Sequence, residues 1–180
     1  MKKNSLTEET SFIQSEAQFC LNYPQGWTAI EFFQDGKGVV LLDPIAVSEG
    51  VTEHNTDSLR AGAYLTIGQE TILPEQADLS VFTADGWLAN SLGNGTFRVR
   101  QKKMIMVDGQ KGILAKIDPH IVNGQIPQGA ASYYRLDAFV RDGNTYYTFG
   151  SFFATEQART TFKPQFKGIL HSLKFPQHCV

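Results

Sequence analysis

At 180 residues the chain has the length of one typical domain. Hydrophobic residues make up 42% and charged ones 19%, with 13 Phe, 6 Tyr and 2 Trp. That balance excludes a disordered chain, a collagen, a coiled coil and a disulfide-stapled miniature. A net charge of −2 excludes the strongly basic balance of many nucleic-acid binders, and no apolar run approaches the roughly 20 residues that span a bilayer.

Charge is unevenly spread. Residues 1–90 hold 4 Lys/Arg against 13 Asp/Glu, and residues 91–180 hold 12 against 5. One domain should mix the two halves and keep at most a surface dipole.

Met1-Lys2-Lys3 looks like the start of a leader, but polar residues 4–11 follow where an apolar stretch should be. The chain therefore reads as cytoplasmic if complete, and as periplasmic or lipoprotein-like if a leader was trimmed. Residues 1–16 are polar and aperiodic and read as a loose arm. Residues 17–176 read as one domain, and 177–180 as a tail. Phe19, Leu21 and Tyr23 alternate with polar or small residues, the period of a half-buried strand. Strands are expected at 28–33 and 38–42 around Asp35-Gly36, and another at 63–68. Asp-Gly recurs at 108–109 between strands 97–107 and 111–117, and at 142–143 between strands 132–141 and 145–153.

The turn at 142–143 would set Ala138 opposite Tyr147 and Leu136 opposite Phe149, with Phe139 meeting Tyr146 on the other face. Large apolar pairs on both faces ask for cover on both sides of the sheet. Helices are expected at 79–92 and 156–172. The second carries Phe162, Phe166, Ile169, Leu170 and Leu173 as a stripe, with Thr155 as N-cap and a kink or restart at Pro164. A short strand at 173–175 ends the fold. Segments 43–62 and 118–131 read as long loops. Cys20 and Cys179 read as two free thiols, able to pair only if the tail lies beside the first strand.

The opening Phe19-x-Leu21-x-Tyr23-Pro24-x-Gly26-Trp27 and the closing Phe166-Lys167-Gly168-Ile169-Leu170-His171-Ser172-Leu173-Lys174-Phe175 resemble the superfamily of PsbP, the Ran-binding Mog-type proteins and the DcrB-like bacterial proteins. The likeness spans residues 18–175 in element order. It implies an α+β fold, an α/β/α sandwich with a central antiparallel β-sheet and helices on both faces. It also implies a largely non-enzymatic, accessory role: members serve photosystem assemblies, bind a small GTPase, or resemble lipoproteins and effector chaperones. Protein binding is what these roles share, and nothing in the chain points to the photosynthetic branch. No functional residue carries over, since a Pro-x-Gly turn seating Trp27 on a core needs no function.

Catalytic signatures are missing from the sequence: there is no G-x-S-x-G elbow, P-loop or H-E-x-x-H. Gly93-Asn94-Gly95 lacks the third glycine of a dinucleotide fingerprint and precedes a strand. Asn94-Gly95-Thr96 is a glycosylation sequon only in a eukaryotic secretory context. Glu53, His54 and Asp57 are metal-ligand types, but an acidic loop explains them without a metal. His171 suits the negative end of its helix. No cofactor or metal is expected.

The basic hairpin at 97–117 is the one constellation that suggests binding. Arg98, Arg100 and Lys102 alternate and should share a face, Lys103 is adjacent, and Lys111 and Lys116 lie on the partner strand. Such cations protect an edge from aggregation, or they meet an anionic partner. No aromatic stacking motif is interleaved with them, so a protein with an acidic surface fits better than nucleic acid. The expectation is a non-enzymatic accessory or protein-binding domain. The alternatives are a carrier of a small apolar ligand in a pocket between sheet and helix, and an unrecognised hydrolase. Internal neutralisation by the acidic first half is the competing outcome for the hairpin.

Overall fold

A computed structural model describes residues 9–13, 19–32, 37–76, 78–92, 97–121 and 132–179. Among the described residues, alternating or continuous apolar runs build nine strands: β1 Glu9–Ile13, β2 Cys20–Pro24, β3 Thr28–Phe32, β4 Lys37–Leu42, β5 Tyr64–Thr71, β6 Phe97–Val107, β7 Gln110–Pro119, β8 Arg135–Asp142 and β9 Thr145–Phe152. Three helices accompany them: α1 Pro44–Ser48, α2 Ala84–Ser91 and α3 Glu156–Ser172. Seven strands form one antiparallel sheet in the order β3-β4-β5-β9-β8-β7-β6, and β1 pairs with β2 in a small second sheet. The expected α/β/α layering is therefore observed.

The apolar stripe of α3 covers one face. Phe162, Phe166, Ile169 and Leu170 are buried with Leu136, Ala138 and Phe149 of the sheet and with Phe19 and Leu21 beneath β1–β2. Trp27 packs edge-on against Phe162, with ring centroids 6.1 Å apart. On the opposite face α2 seats Leu88 and Trp87 over Ile113, Ile117 and Phe139, while α1 and its following loop cover Val40, Leu42 and Tyr64.

Several expectations change. The arm at 1–16 contains β1, whose Phe12 lies opposite Leu21 and packs on the main core. The loop at 43–62 contains α1. Asp43 caps it, accepting the N–H groups of Ile45 and Ala46 at 3.1 and 2.9 Å and that of Ala63 at 2.8 Å. The helix at 79–92 is split into a 3₁₀ turn, Ser80–Phe82, and α2, with Thr83 as N-cap. Gly86 is where the two parts press together: a Cβ there would fall 1.8 Å from the Ser80 carbonyl oxygen. Helix α3 runs through Pro164 without a break. The strand at 173–175 shrinks to one bridge, Cys20 with Lys174. The Asp35-Gly36 turn lies outside the described residues.

Asp108-Gly109 is the two-residue turn expected, with both residues at positive φ (47° and 86°). The last hairpin instead turns on Gly143-Asn144, with Gly143 at φ 57°, so Ala138 faces Phe149 and Val140 faces Tyr147. The slip is two residues. An even slip keeps every side chain on its face, so the face assignment survives: Phe139 and Tyr146 still stack, 5.5 Å apart.

Cys20 and Cys179 are not free thiols. They form a disulfide with Cα atoms 5.8 Å apart, because the bridge to Lys174 and a 3₁₀ turn at Pro176–His178 lay the tail beside β2.

Candidate functional site

The basic residues of β6 and β7 lie at one edge of the sheet, since among the described residues β6 pairs with β7 alone. The register shifts between Val99 and Gln101, making Arg100 the extra residue of a β-bulge. This breaks the expected alternation. Arg98 lies opposite Asp118 on the α3 face, and the Arg100 Nε pairs with Asp118 at 3.0 Å. Beyond the bulge, Lys102 turns to the α2 face and pairs with Asp85 at 2.6 Å. Lys103 lies opposite Leu114 on the α3 face, and Lys111 lies opposite Met106 on the α2 face. The six cations thus divide between both faces of the edge.

Their pairing is also divided. Arg100, Lys102 and Lys116 have carboxylate partners, the last being Glu156 at 2.8 Å. Arg98, Lys103 and Lys111 are exposed, and among the described residues no carboxylate lies within 4.0 Å of them. Asp85 is the one partner supplied by the acidic first half. The sheet order explains why. Strands β3, β4 and β5 from the first half occupy one side of the sheet and β6 to β9 the other. The charge halves stay apart.

Two neighbours extend the site. Lys163 of α3, which the apolar stripe does not include, meets Lys103 and Lys116 around a small cleft. It follows Phe162 directly, so the helical period alone placed it at the border of the buried face. Met104 and Met106 are 66% and 53% exposed, and with Ile105 and Lys111 they line an open notch of about 280 Å³.

A buried polar network supports this edge. Arg159, 2% exposed, donates to the carbonyl oxygens of Ile117 at 2.7 Å and Arg135 at 3.3 Å. It also pairs with Asp118 at 2.6 Å and with Glu156. Burial raises the pKa of Glu156, but its bonds to Lys116 and Arg159 outweigh that and hold it below the usual carboxylate range. On the other face Arg135 pairs with Asp137 and donates to the last carbonyl of α2, at Ser91, at 3.1 Å. Asp137 is fully buried, and burial pushes its carboxyl up to about 6 against the opposing pull of Arg135. At the hairpin tip, Asp108 accepts from Phe175 N–H at 2.9 Å, Lys174 Nζ at 3.0 Å and His178 Nδ1 at 2.7 Å.

Other candidates are not assembled. Glu53 and His54 lie 3.8 Å apart with the imidazole 81% exposed, and no group of three metal-ligand side chains is found among the described residues. His171 is exposed on the last turn of α3. An open cleft of about 220 Å³ lies between the small sheet and α3, lined by Glu9, Asn22, Tyr23, Pro164, Gln165 and Ile169, and another of about 250 Å³, lined by Phe32, Val40, Tyr64 and Thr66, opens beside the loop after α1. Residues 93–96, with the discarded fingerprint and the sequon, lie outside the described residues. Among the described residues, no helix is long and apolar enough to cross a membrane.

No protein-family model matches the chain, and no curated protein matches it in sequence. Solved structures match in fold. The solution structure of cyanobacterial PsbP (CyanoP) from Synechocystis aligns over 97% of this chain and 96% of its own, with TM-score 0.60 and 14% identity. The Saccharomyces cerevisiae Ran-binding protein Mog1p aligns over 94% and 96%, with TM-score 0.60 and 11% identity. Protein PA94 of Pseudomonas aeruginosa, of unknown function, aligns over 92% and 95%, with TM-score 0.52 and 14% identity. The chain has the PsbP/Mog fold, as the opening and closing motifs implied.

Proposed function

We propose that this chain is a non-enzymatic protein-binding domain that docks an acidic protein surface on the β6–β7 edge of its sheet. The observation that carries this reading is the set of exposed cations Arg98, Lys103 and Lys111, without carboxylate partners among the described residues. Arg98 and Lys103 share the α3 face of the edge and Lys111 stands on the other, so an anionic partner that wraps the edge would meet an uncompensated cation on either side. Arg100, Lys102 and Lys116 belong to the same patch and are held in place by Asp118, Asp85 and Glu156. The fold is compatible with the reading, since one protein that shares it is Ran-binding. Both cysteines are consumed in a disulfide, which leaves no thiol nucleophile. That same bond favours an oxidising, extracytoplasmic compartment, where disulfides persist.

The test is a triple charge reversal, Arg98→Glu, Lys103→Glu and Lys111→Glu, compared with the parent for cross-linking to acidic proteins of the native extract. The parent should hold an acidic partner at low salt and lose it as salt rises, and the variant should not hold it at all. Its urea midpoint should match the parent's, since exposed unpaired charges contribute little stability. Equal capture by both proteins would remove the site from the β6–β7 edge.

A further inference from the structure

The free edge of β6 has its own hydrogen-bonding geometry. From a two-residue turn, antiparallel partners alternate between hydrogen-bonded and non-bonded pairs, beginning with a bonded pair. Val107 opposite Gln110 is that first pair, so Ile105 and Lys103 also turn their amides toward β7. Met106, Met104 and Lys102 turn theirs outward. No other strand or loop among the described residues bonds to them. The edge therefore offers three successive open backbone positions between the Asp108 turn and the Arg100 bulge.

The side chains along those rungs are as uneven as the backbone is regular. Protected edges carry charges throughout, yet Met104 and Met106 stand 66% and 53% exposed beside their open backbone groups. Lys102 and Lys103 follow directly, one on each face. Lys103 has no carboxylate neighbour among the described residues, whereas Lys102 reaches Asp85 with both side chains largely exposed.

We propose that the outer edge of β6 is a strand-addition site, which takes an extended segment of the partner protein as an eighth strand. The segment runs antiparallel, like every other pair of this sheet. It places apolar side chains opposite Met106 and Met104, then acidic ones opposite Lys103 and Lys102, so it reads apolar to acidic from its N-terminus. Backbone bonds supply affinity, and the side-chain order supplies specificity. A second copy of this chain is a poorer occupant, because β6 on β6 brings both sets of cations into one sheet. This proposal rests on the acidic-partner reading above and adds the backbone to it.

The probe is a blocked synthetic peptide carrying valine, threonine, valine, glutamate and glutamate in that order, titrated into the full chain and followed by NMR. Amide exchange of Lys102, Met104 and Met106 should slow at least tenfold on binding, while exchange at Lys103 and Ile105, already bonded to β7, changes little. Met104→Pro removes one outward N–H and leaves the β7 ladder intact, a position where edge strands tolerate proline. It should weaken the peptide at least tenfold, as should Lys102→Glu with Lys103→Glu. Loss with the charge reversals but not with Met104→Pro, and no slowing at the three amides, would overturn strand addition and leave a side-chain docking surface. Indifference to all three changes would overturn both readings. A parent dimer abolished by Met104→Pro, with no peptide binding, would make the edge a self-association site and overturn the proposal. The amide-exchange result in the parent stands whether or not the proline variant folds.

Discussion

Asp108 accepts the backbone N–H of Phe175 at 2.9 Å, across 67 residues of sequence, and so ties the tip of the basic hairpin to the C-terminal tail. Burial raises the pKa of this carboxylate, but the bonds from Phe175, His178 and Lys174 outweigh burial and hold it below its ordinary range. Asp108 also sits at φ 47°, which aspartate and asparagine tolerate better than other side chains with a Cβ.

Asp108→Asn keeps that backbone preference and removes the charge. It should cost about 1.5–3 kcal/mol at neutral pH, the range for a hydrogen bond to a charged group. A depressed carboxylate stabilises above its unfolded pKa and loses that contribution as pH falls through the folded value. The gap between parent and variant in urea midpoint should therefore close below about pH 4. A gap that persists in acid would assign the effect to the turn and not to the charge.

The disulfide joins residues 159 apart. Closing so long a loop removes unfolded-state entropy worth up to about 5 kcal/mol. Cys20→Ser with Cys179→Ser should lower the midpoint accordingly and should leave the variant insensitive to reductant, whereas reductant should lower the midpoint of the parent. Equal melting with and without reductant in the parent would show that the bridge adds nothing.

Asp137 gives the opposite pH signature. Its folded pKa lies above the unfolded value, so its contribution is complete below about pH 4 and is lost as pH rises through about 6. A rise from 3.8 to about 6 is worth on the order of 3 kcal/mol. Asp137→Asn fixes the neutral form, so parent stability minus variant stability should fall across that window. A difference that climbs there would mean the ion pair with Arg135 outweighs burial.

Phe166 is 1% exposed at the centre of the α3 stripe. Phe166→Ala should cost about 3–5 kcal/mol through lost burial and a partly collapsed cavity. Equal urea midpoints would show that α3 is not packed on the sheet.

Period and turn chemistry made most of this fold legible. The α3 stripe announced its buried face, and an even register slip at Gly143 did not disturb which side chains share a side. Asp43-Pro44 is an N-cap followed by proline at the first helical position, a start signal lost because only five residues follow before Glu49 caps the end. Arg159 stands three residues before Phe162 on the same stripe. Its position and its partner Glu156, one helical turn earlier, could be read, but Asp118 could not, since that contact depends on how β7 meets α3. The division of the cations between faces was hidden by a single bulge residue. Nothing in the local pattern around Arg100 distinguishes a bulge from a continuing strand.

The sheet order also dictates how the chain can assemble. Five of its six internal pairings join strands that are neighbours in sequence, and β5 with β9 alone brings Tyr64–Thr71 onto Thr145–Phe152. Hairpins close cheaply and early, while this seam must wait for a long loop to find its end. The acidic and the basic meander can then mature as separate pieces and attract each other across the seam. Joining them is expected to be the slow step, and the bond between Cys20 and Cys179 then locks the result from outside the sheet.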